Sequence, residues 1–168
     1  LYNENYRSAK STDTYIGKGG SDFETWEPTF TFHGFRYVEL SGFAEGTRPE
    51  PDWVTGVVLY SDMARTGQFS CSDPDLDQLQ SNIVWGQKGN FLEVPTDCPQ
   101  RDERLGWTGD AQVFCPTACF NFDTLNFFRK WMTDVRDSQR EDGAIPHVVP
   151  HVLKEEAYDS PAWADAVV

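Results

Sequence analysis

The chain has 168 residues and a formal net charge of −13, and 39% of its residues are hydrophobic. This length suits one domain, or a small domain with part of another, and the apolar content is sufficient for a core. So acidic a chain repels phosphate backbones, which argues against nucleic-acid binding, and it lacks the basic amphipathic or long apolar runs that membranes require. The N-terminus has no signal-peptide pattern.

The first third of the chain has the pattern of β-strands. Residues 29–40 alternate in extended style around Gly34, which predicts a bulge or a bend, and residues 54–60 form a Val-rich apolar run. Turn-forming residues separate these runs. Three or four strands make only part of a sandwich, because on their own they would leave sheet edges exposed.

Helical patterns follow. Asp73 and Pro74 supply an N-cap and a first-turn proline for a first helix, whose apolar residues recur at helical spacing. A second pattern runs from Asp110 to Phe120, where Pro116 predicts a kink or an early break. The order of strands before helices favours a β domain followed by an α domain.

A third helix is predicted after Asp123 and Thr124, which can cap it, and Gly143 should end it. Its apolar stripe consists of Leu125, Phe128, Trp131, Met132 and Val135. Pro161 and the residues after it predict the start of another helix. A chain that opens inside a predicted strand and ends this way indicates a segment excised from a longer protein.

The loop between the first two helices, from Gly89 to about Thr108, concentrates charge. The eighteen residues from Glu93 to Asp110 include five carboxylates, two arginines and Trp107. Loops of this length in compact domains are usually functional. Clustered carboxylates raise one another's pKa, arginines hold others ionised, and a tryptophan offers an apolar face to a sugar ring. These parts suit glycoside hydrolysis, which needs one carboxyl as an acid and another as a base.

Two other interpretations of this loop stay open from the residues alone. It can be a salt-bridged connector in which Trp107 plugs against a neighbouring domain. It can also bind a metal such as calcium through the same carboxylates, although the ligand spacing of an EF-hand is absent.

The cysteines and histidines do not form a metal-binding pattern. A zinc site on Cys115 and Cys119 would need two further ligands at regular spacing. His147 and His151 have helical spacing, but flanking prolines disfavour a ligand-bearing helix. We therefore predict that the four cysteines are buried free thiols, and we expect neither a metal ion nor an organic cofactor.

The run from Asp97 to Gln112, DCPQRDERLGWTGDAQ, resembles the signature of the bacterial α-L-rhamnosidases of glycoside hydrolase family 78. Residues 30–38 resemble the end of the β-sandwich that precedes the catalytic barrel in that family, and residues 163–166 resemble a helix start that brings an aromatic wall to the sugar. The resemblance spans most of the chain from about Phe23 onward.

This resemblance implies an α+β segment, with partial β-sandwich strands followed by the first helices of an (α/α)6 barrel. Residues 1–66 would be the C-terminal strands of a β-sandwich domain. Residues 67–168 would be the incomplete N-terminal part of the catalytic barrel. We expect such a segment to need the remaining parts of its parent enzyme, or an oligomer, to cover its apolar helix faces. An extracellular or periplasmic location is favoured over a cytoplasmic one.

The activity implied is the removal of terminal non-reducing α-L-rhamnose from glycans or glycosides with inversion. By resemblance, Glu103 is the general acid. The implied substrate-binding residues are Asp97, Arg101, Trp107, Asp110 and Trp163. The second catalytic glutamate would lie beyond Val168, since Glu141, Glu155 and Glu156 do not match its motif, so the isolated segment is expected to be inactive.

The alternative is a non-catalytic carbohydrate-binding or scaffolding module. Glu103 discriminates between the two hypotheses, because a module that only binds has no need of a glutamate placed among arginines and a tryptophan.

Overall fold

The computed structural model describes residues 3–154 and 157–168. Three α-helices dominate: α1 is Pro74–Asn90, α2 is Thr108–Asn121 and α3 is Leu125–Ser138. A short antiparallel hairpin of β1, Phe91–Leu92, and β2, Val94–Pro95, joins α1 to the loop before α2. Single 3-10 turns are found at Glu4–Tyr6, Pro51–Trp53 and Ala164–Val167.

The strands predicted in residues 29–40 and 54–60 are not observed. The described backbone from residue 3 to residue 60 contains two 3-10 turns and no strand ladder. A strand is held by hydrogen bonds to a neighbour, and these segments have no neighbouring strand in the described part of the chain. Their apolar side chains accordingly stay exposed, as at Tyr37 and Val57. An alternating sequence indicates that a segment can form a strand with two different faces. It does not show which segment would pair with it.

The predicted cap of α1 is confirmed. Asp73 Oδ1 accepts a hydrogen bond from the Asp75 backbone N–H at 3.0 Å, and Pro74 occupies the first turn, where its missing N–H costs nothing. A buried amide pair then ties α1 to α2. Gln87 Nε2 donates to the Ala118 carbonyl at 3.2 Å, and Asn121 Nδ2 donates to Gln87 Oε1 at 3.1 Å.

The early break predicted at Pro116 is wrong, because α2 continues through this residue to Asn121. Proline removes one N–H from the helix ladder, but packing on both sides of it outweighs that loss. Ala111 and Ala118, which flank Pro116, are both buried. The first residue of the helix is also held in place, since the Thr108 N–H and hydroxyl both donate to the His147 carbonyl, at 2.9 and 3.1 Å.

The apolar stripe predicted for α3 is correct at Trp131 and Val135 but is rotated at its start. Phe127 is buried there, whereas Leu125 is 63% exposed and Met132 is 37% exposed. Sequence spacing alone does not decide which side of a broad apolar face meets the core. The helix ends at Ser138, well before Gly143, whose φ of 92° belongs to the turn that follows.

Two apolar clusters form the core. The first packs α1, β1, α2 and α3 around Phe91 and Phe127, whose rings stack with centroids 4.5 Å apart. The second places Trp131 and Val135 of α3 against Ile145 and Val149. Trp131 Nε1 donates to the Val149 carbonyl at 3.3 Å, so the segment of residues 144–149 is anchored beside the start of α2.

The prediction of buried cysteines is wrong for part of the set. Cys98 is buried, but Cys71 and Cys119 are exposed and Cys115 is half-buried. Cys115 and Cys119 lie one turn apart on α2, with sulfur atoms 4.0 Å from each other. Their side of the helix lines an open apolar groove of about 840 Å³, together with Phe128 and Met132 of α3. Among the described helices, none has the length and hydropathy required to cross a membrane.

Gly106→Ala should destabilise the junction between the loop and α2. A Cβ at Gly106 would stand 2.1 Å from the Val149 carbonyl oxygen, which is backbone that Trp131 also holds. We expect a loss of about 1–3 kcal/mol in the free energy of opening at residues 106–111 and 145–149. Amide hydrogen exchange followed by mass spectrometry measures it.

Gly86→Ala is the matched control, because Gly86 lies in α1 with no atom within 4 Å of an added Cβ. It should raise the free energy of opening of α1 by about 0.5–1 kcal/mol and so slow amide exchange there, since alanine is the better helix former. Equal exchange in both variants would contradict the packing described at Gly106.

Candidate active site

The loop of residues 96–107 lies between β2 and α2 and is closed on itself by Asp97. The Asp97 N–H donates to the Leu105 carbonyl at 3.2 Å, and Asp97 Oδ1 accepts from the Leu105 N–H at 3.0 Å. The loop is also pinned at its start, where Thr96 donates from its N–H and its hydroxyl to the Asn90 carbonyl. These bonds fold a stretch without regular secondary structure into one defined shape.

Glu103 is the centre of the charges in this loop. Arg101 approaches its Oε2 atom with Nε at 3.0 Å and Nη2 at 2.8 Å. Arg7 reaches the same oxygen with Nη1 at 2.9 Å. The Glu103 side chain is 23% exposed, so this partly buried carboxyl keeps some access to solvent. Charge-assisted hydrogen bonds of this kind fix both the position and the rotation of the carboxyl group.

The sequence analysis missed Arg7, which precedes Glu103 by 96 positions. No motif around Arg7 indicated this role, because the contact exists only after the first residues of the chain fold back over the loop. Further contacts fasten the same region: Ser8 pairs with Asp102, and Arg104 Nη1 donates to the Phe32 carbonyl at 2.8 Å. A Cβ on Gly34 would lie 3.0 Å from Pro99, so this backbone approach suits glycine.

Asp97 carries a second carboxylate into the site. Its side chain is only 7% exposed, and Arg101 Nη2 lies 3.6 Å from its Oδ2 atom. This Oδ2 atom is buried and accepts no hydrogen bond in the structure. An unsatisfied buried acceptor is costly, which makes it a candidate partner for a hydroxyl group of a ligand.

Asp110 adds a third carboxylate in the first turn of α2. Although it keeps contact with solvent, the surrounding protein desolvates it, and this desolvation raises its pKa. The negative charges of Asp97 and Glu103 raise the pKa of Asp110 further, while its own backbone N–H opposes them. The three carboxylates are therefore close enough to influence one another.

The two candidate tryptophans lie at the ends of this region. Trp107 is the N-cap of α2, and its buried Nε1 atom has no hydrogen-bond partner in the structure. Trp163 is 37% exposed and packs against Gly109, where an added Cβ would lie 3.0 Å from its Nε1 atom. Glycine at this position lets the indole lie directly on the first turn of α2, one residue from Asp110.

His147, which the sequence analysis considered as a metal ligand, lies beside the candidate tryptophan Trp163. Its ring lies 5.7 Å from the Trp163 ring, and its Nε2 atom accepts from the Ser160 N–H at 3.3 Å. Its carbonyl holds the start of α2 through Thr108. His151 instead packs on Tyr158, with ring centroids 4.5 Å apart.

The six predicted site residues thus occupy one region with different degrees of contact. Asp97, Arg101 and Glu103 are joined by direct ion pairs. Asp110 is joined to them electrostatically, and Trp107 and Trp163 flank Asp110 at the start of α2. Glu155 and Glu156, which the sequence analysis set aside, lie outside the described residues.

Within the described ranges, one group has the spacing of metal ligands: Asp97, Cys98 and Glu103, whose donor atoms lie within 4.8 Å of one another. This group already has positive charge beside it from two arginines. Burial raises the pKa of Cys98, and the neighbouring Asp97 carboxylate raises it further, so the thiol keeps its proton. Arg101 and Arg7 already occupy Oε2 of Glu103 with positive charge.

The raised pKa of Asp110 gives a test of this electrostatic environment. Carbodiimide modifies the protonated carboxyl, so the pH at which labelling of Asp110 is half-maximal should lie above the ordinary value of 3.8. Asp97→Asn should lower that pH, because it removes one of the negative charges that favour the protonated form. Peptide mass spectrometry across a pH series measures both.

The raised pKa of Asp110 also predicts how the stability of the fold changes with pH. A carboxyl that holds its proton more tightly in the folded state destabilises the fold as pH rises above 3.8. Asp110→Asn should therefore be more stable than wild type at neutral pH, with the difference vanishing below pH 3.8. A labelling midpoint at or below 3.8 would contradict the crowding of carboxylates described above.

Comparison with known proteins places this site in a family. The bacterial alpha-L-rhamnosidase six-hairpin glycosidase domain matches residues 64–168, and the bacterial alpha-L-rhamnosidase concanavalin-like domain matches residues 1–60. An alpha-L-rhamnosidase of Formosa agariphila is 57% identical over 98% of this chain. One of Streptomyces avermitilis is 53% identical over 90% of it. The chain spans 18% and 14% of the lengths of these two relatives.

Solved structures agree with the sequence relatives. The crystal structure of Streptomyces avermitilis alpha-L-rhamnosidase complexed with L-rhamnose superposes on 99% of this chain with a TM-score of 0.92, at 50% identity, and the match covers 16% of that chain. The native enzyme from Aspergillus terreus superposes on 84% of this chain with a TM-score of 0.75, at 47% identity, and covers 16% of that chain. The chain therefore belongs to the bacterial α-L-rhamnosidase family, spanning part of its concanavalin-like domain and part of its six-hairpin glycosidase domain.

Proposed function

We propose that this chain works as part of a glycoside hydrolase that removes terminal non-reducing α-L-rhamnose from glycans or glycosides with inversion. The observation that carries the proposal is the joining of Asp97, Arg101 and Glu103 in one ion-paired loop, in a chain of the α-L-rhamnosidase family. The inversion and the individual residue roles come from the family resemblance of the Asp97-to-Gln112 run and are part of the proposal.

Glu103 is the proposed general acid. Its carboxyl proton passes to the glycosidic oxygen while the bond from that oxygen to the anomeric carbon of rhamnose breaks. A water molecule attacks the opposite face of the sugar, activated by a second carboxylate that stands roughly 6.5–9.5 Å from the first in inverting enzymes. We assign that base to a part of the enzyme outside this chain.

The other residues of the site bind the sugar in this proposal. Asp97 has a buried Oδ2 atom without a hydrogen-bond partner, which suits a rhamnose hydroxyl as donor. Asp110 and Arg101 supply further hydrogen-bonding groups beside it. Trp107 and Trp163 exclude water and pack on the apolar side of the ring, including its 6-methyl group.

The division of the chain fits this function as a proposal. We assign residues 1–66 to the end of a β-sandwich domain and residues 67–168 to the start of an (α/α)6 barrel. In that assembly, strands from the rest of the sandwich pair with the extended segments of residues 29–40 and 54–60. Further barrel helices cover the open groove between α2 and α3, where Phe128 and Met132 are accessible.

Glu103→Gln should abolish most of the rhamnosidase activity of the enzyme produced from the complete coding sequence that contains this chain. The amide cannot donate a proton to the leaving group, so kcat on methyl α-L-rhamnoside, whose alkoxide leaving group needs acid assistance, should fall by about 10²–10⁴-fold. NMR of the first product should show the anomer of inverted configuration. Glu141→Gln is the control, since Glu141 is exposed in the turn after α3 and should behave as wild type.

Three results would count against the proposal. Full activity in Glu103→Gln removes this residue from the acid role. Release of rhamnose with retained configuration removes the inverting mechanism. A wild-type enzyme that binds rhamnosides without cleaving any of them favours a carbohydrate-binding or scaffolding module.

Purified residues 1–168 alone should hydrolyse no rhamnoside, because the proposed general base lies elsewhere. The measurement is release of rhamnose from methyl α-L-rhamnoside at high protein concentration, compared with the complete enzyme and with buffer. Turnover by the segment above the buffer rate, lost again in Glu103→Gln, would show that both catalytic carboxyls lie within this chain.

A further inference from the structure

Oε2 of Glu103 is occupied by cationic donors from two distant parts of the chain. Arg101, from the loop itself, donates a hydrogen bond from Nε at 3.0 Å and places Nη2 at an ion-pair distance of 2.8 Å, and Arg7 donates from Nη1 at 2.9 Å from the N-terminal segment. Among the described residues, no hydrogen bond reaches Oε1, the other oxygen of the same carboxyl. The two oxygens are therefore chemically distinct before any substrate arrives.

This asymmetry decides where the proton of a neutral Glu103 resides. Two hydrogen bonds and a third guanidinium nitrogen at 2.8 Å make Oε2 the carbonyl-like acceptor, so the hydroxyl hydrogen belongs on Oε1. During bond cleavage the Oε1–H bond breaks and its hydrogen goes to the glycosidic oxygen, which keeps the electron pair of the broken C–O bond. The negative charge left on Glu103 is already paired with two guanidinium groups.

The backbone at Arg7 indicates that its side chain matters. Arg7 has φ 53° and ψ −118°, a conformation in which residues with a Cβ are strained and glycine is at ease. The structure holds it there from both sides: the Arg7 N–H donates to the Glu4 carbonyl at 3.0 Å, and the Tyr6 hydroxyl donates to the Gly34 carbonyl at 3.3 Å. Strain of this kind persists where surrounding contacts over-determine it, often at functional sites.

The contact also crosses the boundary between the two family matches. Arg7 lies in the part that matches the concanavalin-like domain, and Glu103 lies in the part that matches the six-hairpin glycosidase domain. The neighbouring hydrogen bond from Ser8 to Asp102 joins the same two parts. The N-terminal segment thus reaches a group that the proposed chemistry uses.

We propose that Arg7 is a positioning residue for Glu103, which together with Arg101 binds Oε2 and thereby presents Oε1 as the proton donor. This inference rests on the proposed function, in which Glu103 is the general acid. Arg7 does not touch the sugar in this role and acts only through the carboxyl.

The test compares leaving groups in the enzyme from the complete coding sequence. Aryl rhamnosides such as p-nitrophenyl α-L-rhamnoside need little acid assistance, whereas methyl α-L-rhamnoside, with an alkoxide leaving group, needs much. In Arg7→Gly, kcat on the methyl rhamnoside should fall by about 10–100-fold and kcat on the aryl rhamnoside by less than about 3-fold, because proton donation is what suffers. KM for both substrates should change little.

Glycine is chosen because it suits the backbone angles of Arg7, so the variant should fold. Added guanidinium chloride at millimolar concentration should restore part of the lost kcat on the methyl rhamnoside. Arg7→Lys should retain more activity than Arg7→Gly, since it keeps a positive charge. Arg36→Met is the matched control, because Arg36 is an exposed arginine of the same N-terminal region whose guanidinium lies 6.0 Å from the centroid of the Tyr37 ring.

Each outcome decides something. A loss confined to the poor leaving group, with rescue by guanidinium, supports the positioning role. Equal losses on both substrates, or Arg7→Gly behaving as Arg36→Met, overturn it while the proposed function stands. A wild-type enzyme that cleaves neither rhamnoside overturns the proposed function, and the inference falls with it.

Discussion

The site depends on the neutralisation of carboxylates that are crowded into one short loop. Asp97, Glu103 and Asp110 lie close enough to influence one another in a chain that already carries a net charge of −13. Without compensating cations, their repulsion would separate them. Arg101, with Arg7, supplies those cations at distances of 2.8–3.0 Å from Glu103 Oε2, and the loop can then hold acceptors together for a polyhydroxylated ligand.

The helices serve this loop by holding its two ends. The buried amides of Gln87 and Asn121 join α1 to α2, so the start and the end of the loop belong to one packed unit. Trp131 anchors the Val149 carbonyl, and the same segment holds the first turn of α2 through His147. Glycine at position 106 allows this close approach. Packing in the apolar core therefore helps to fix the positions of the residues in the polar site.

The extended N-terminal region is the third support of the site. It forms no sheet among the described residues. The chain that contains it nevertheless superposes over 99% of its length on an α-L-rhamnosidase structure, with a TM-score of 0.92. Contacts with the loop, from Arg7 to Glu103 and from Phe32 to Arg104, bring it onto the candidate acid. A region whose sequence pattern predicts strands thus contributes contacts to the candidate site.

The sequence by itself determined the family, the candidate residues of the loop and the cap of α1, because these depend on residue identity at short spacing. It also indicated the apolar face of α3, although not which side of that face meets the core at Phe127. Only the tertiary structure decided the pairing of Arg7 with Glu103, the continuation of α2 through Pro116 and the absence of strands from the described residues 3–60. The physical reason is common to all three: each depends on contacts with residues distant along the chain, and local propensity contains no information about those contacts.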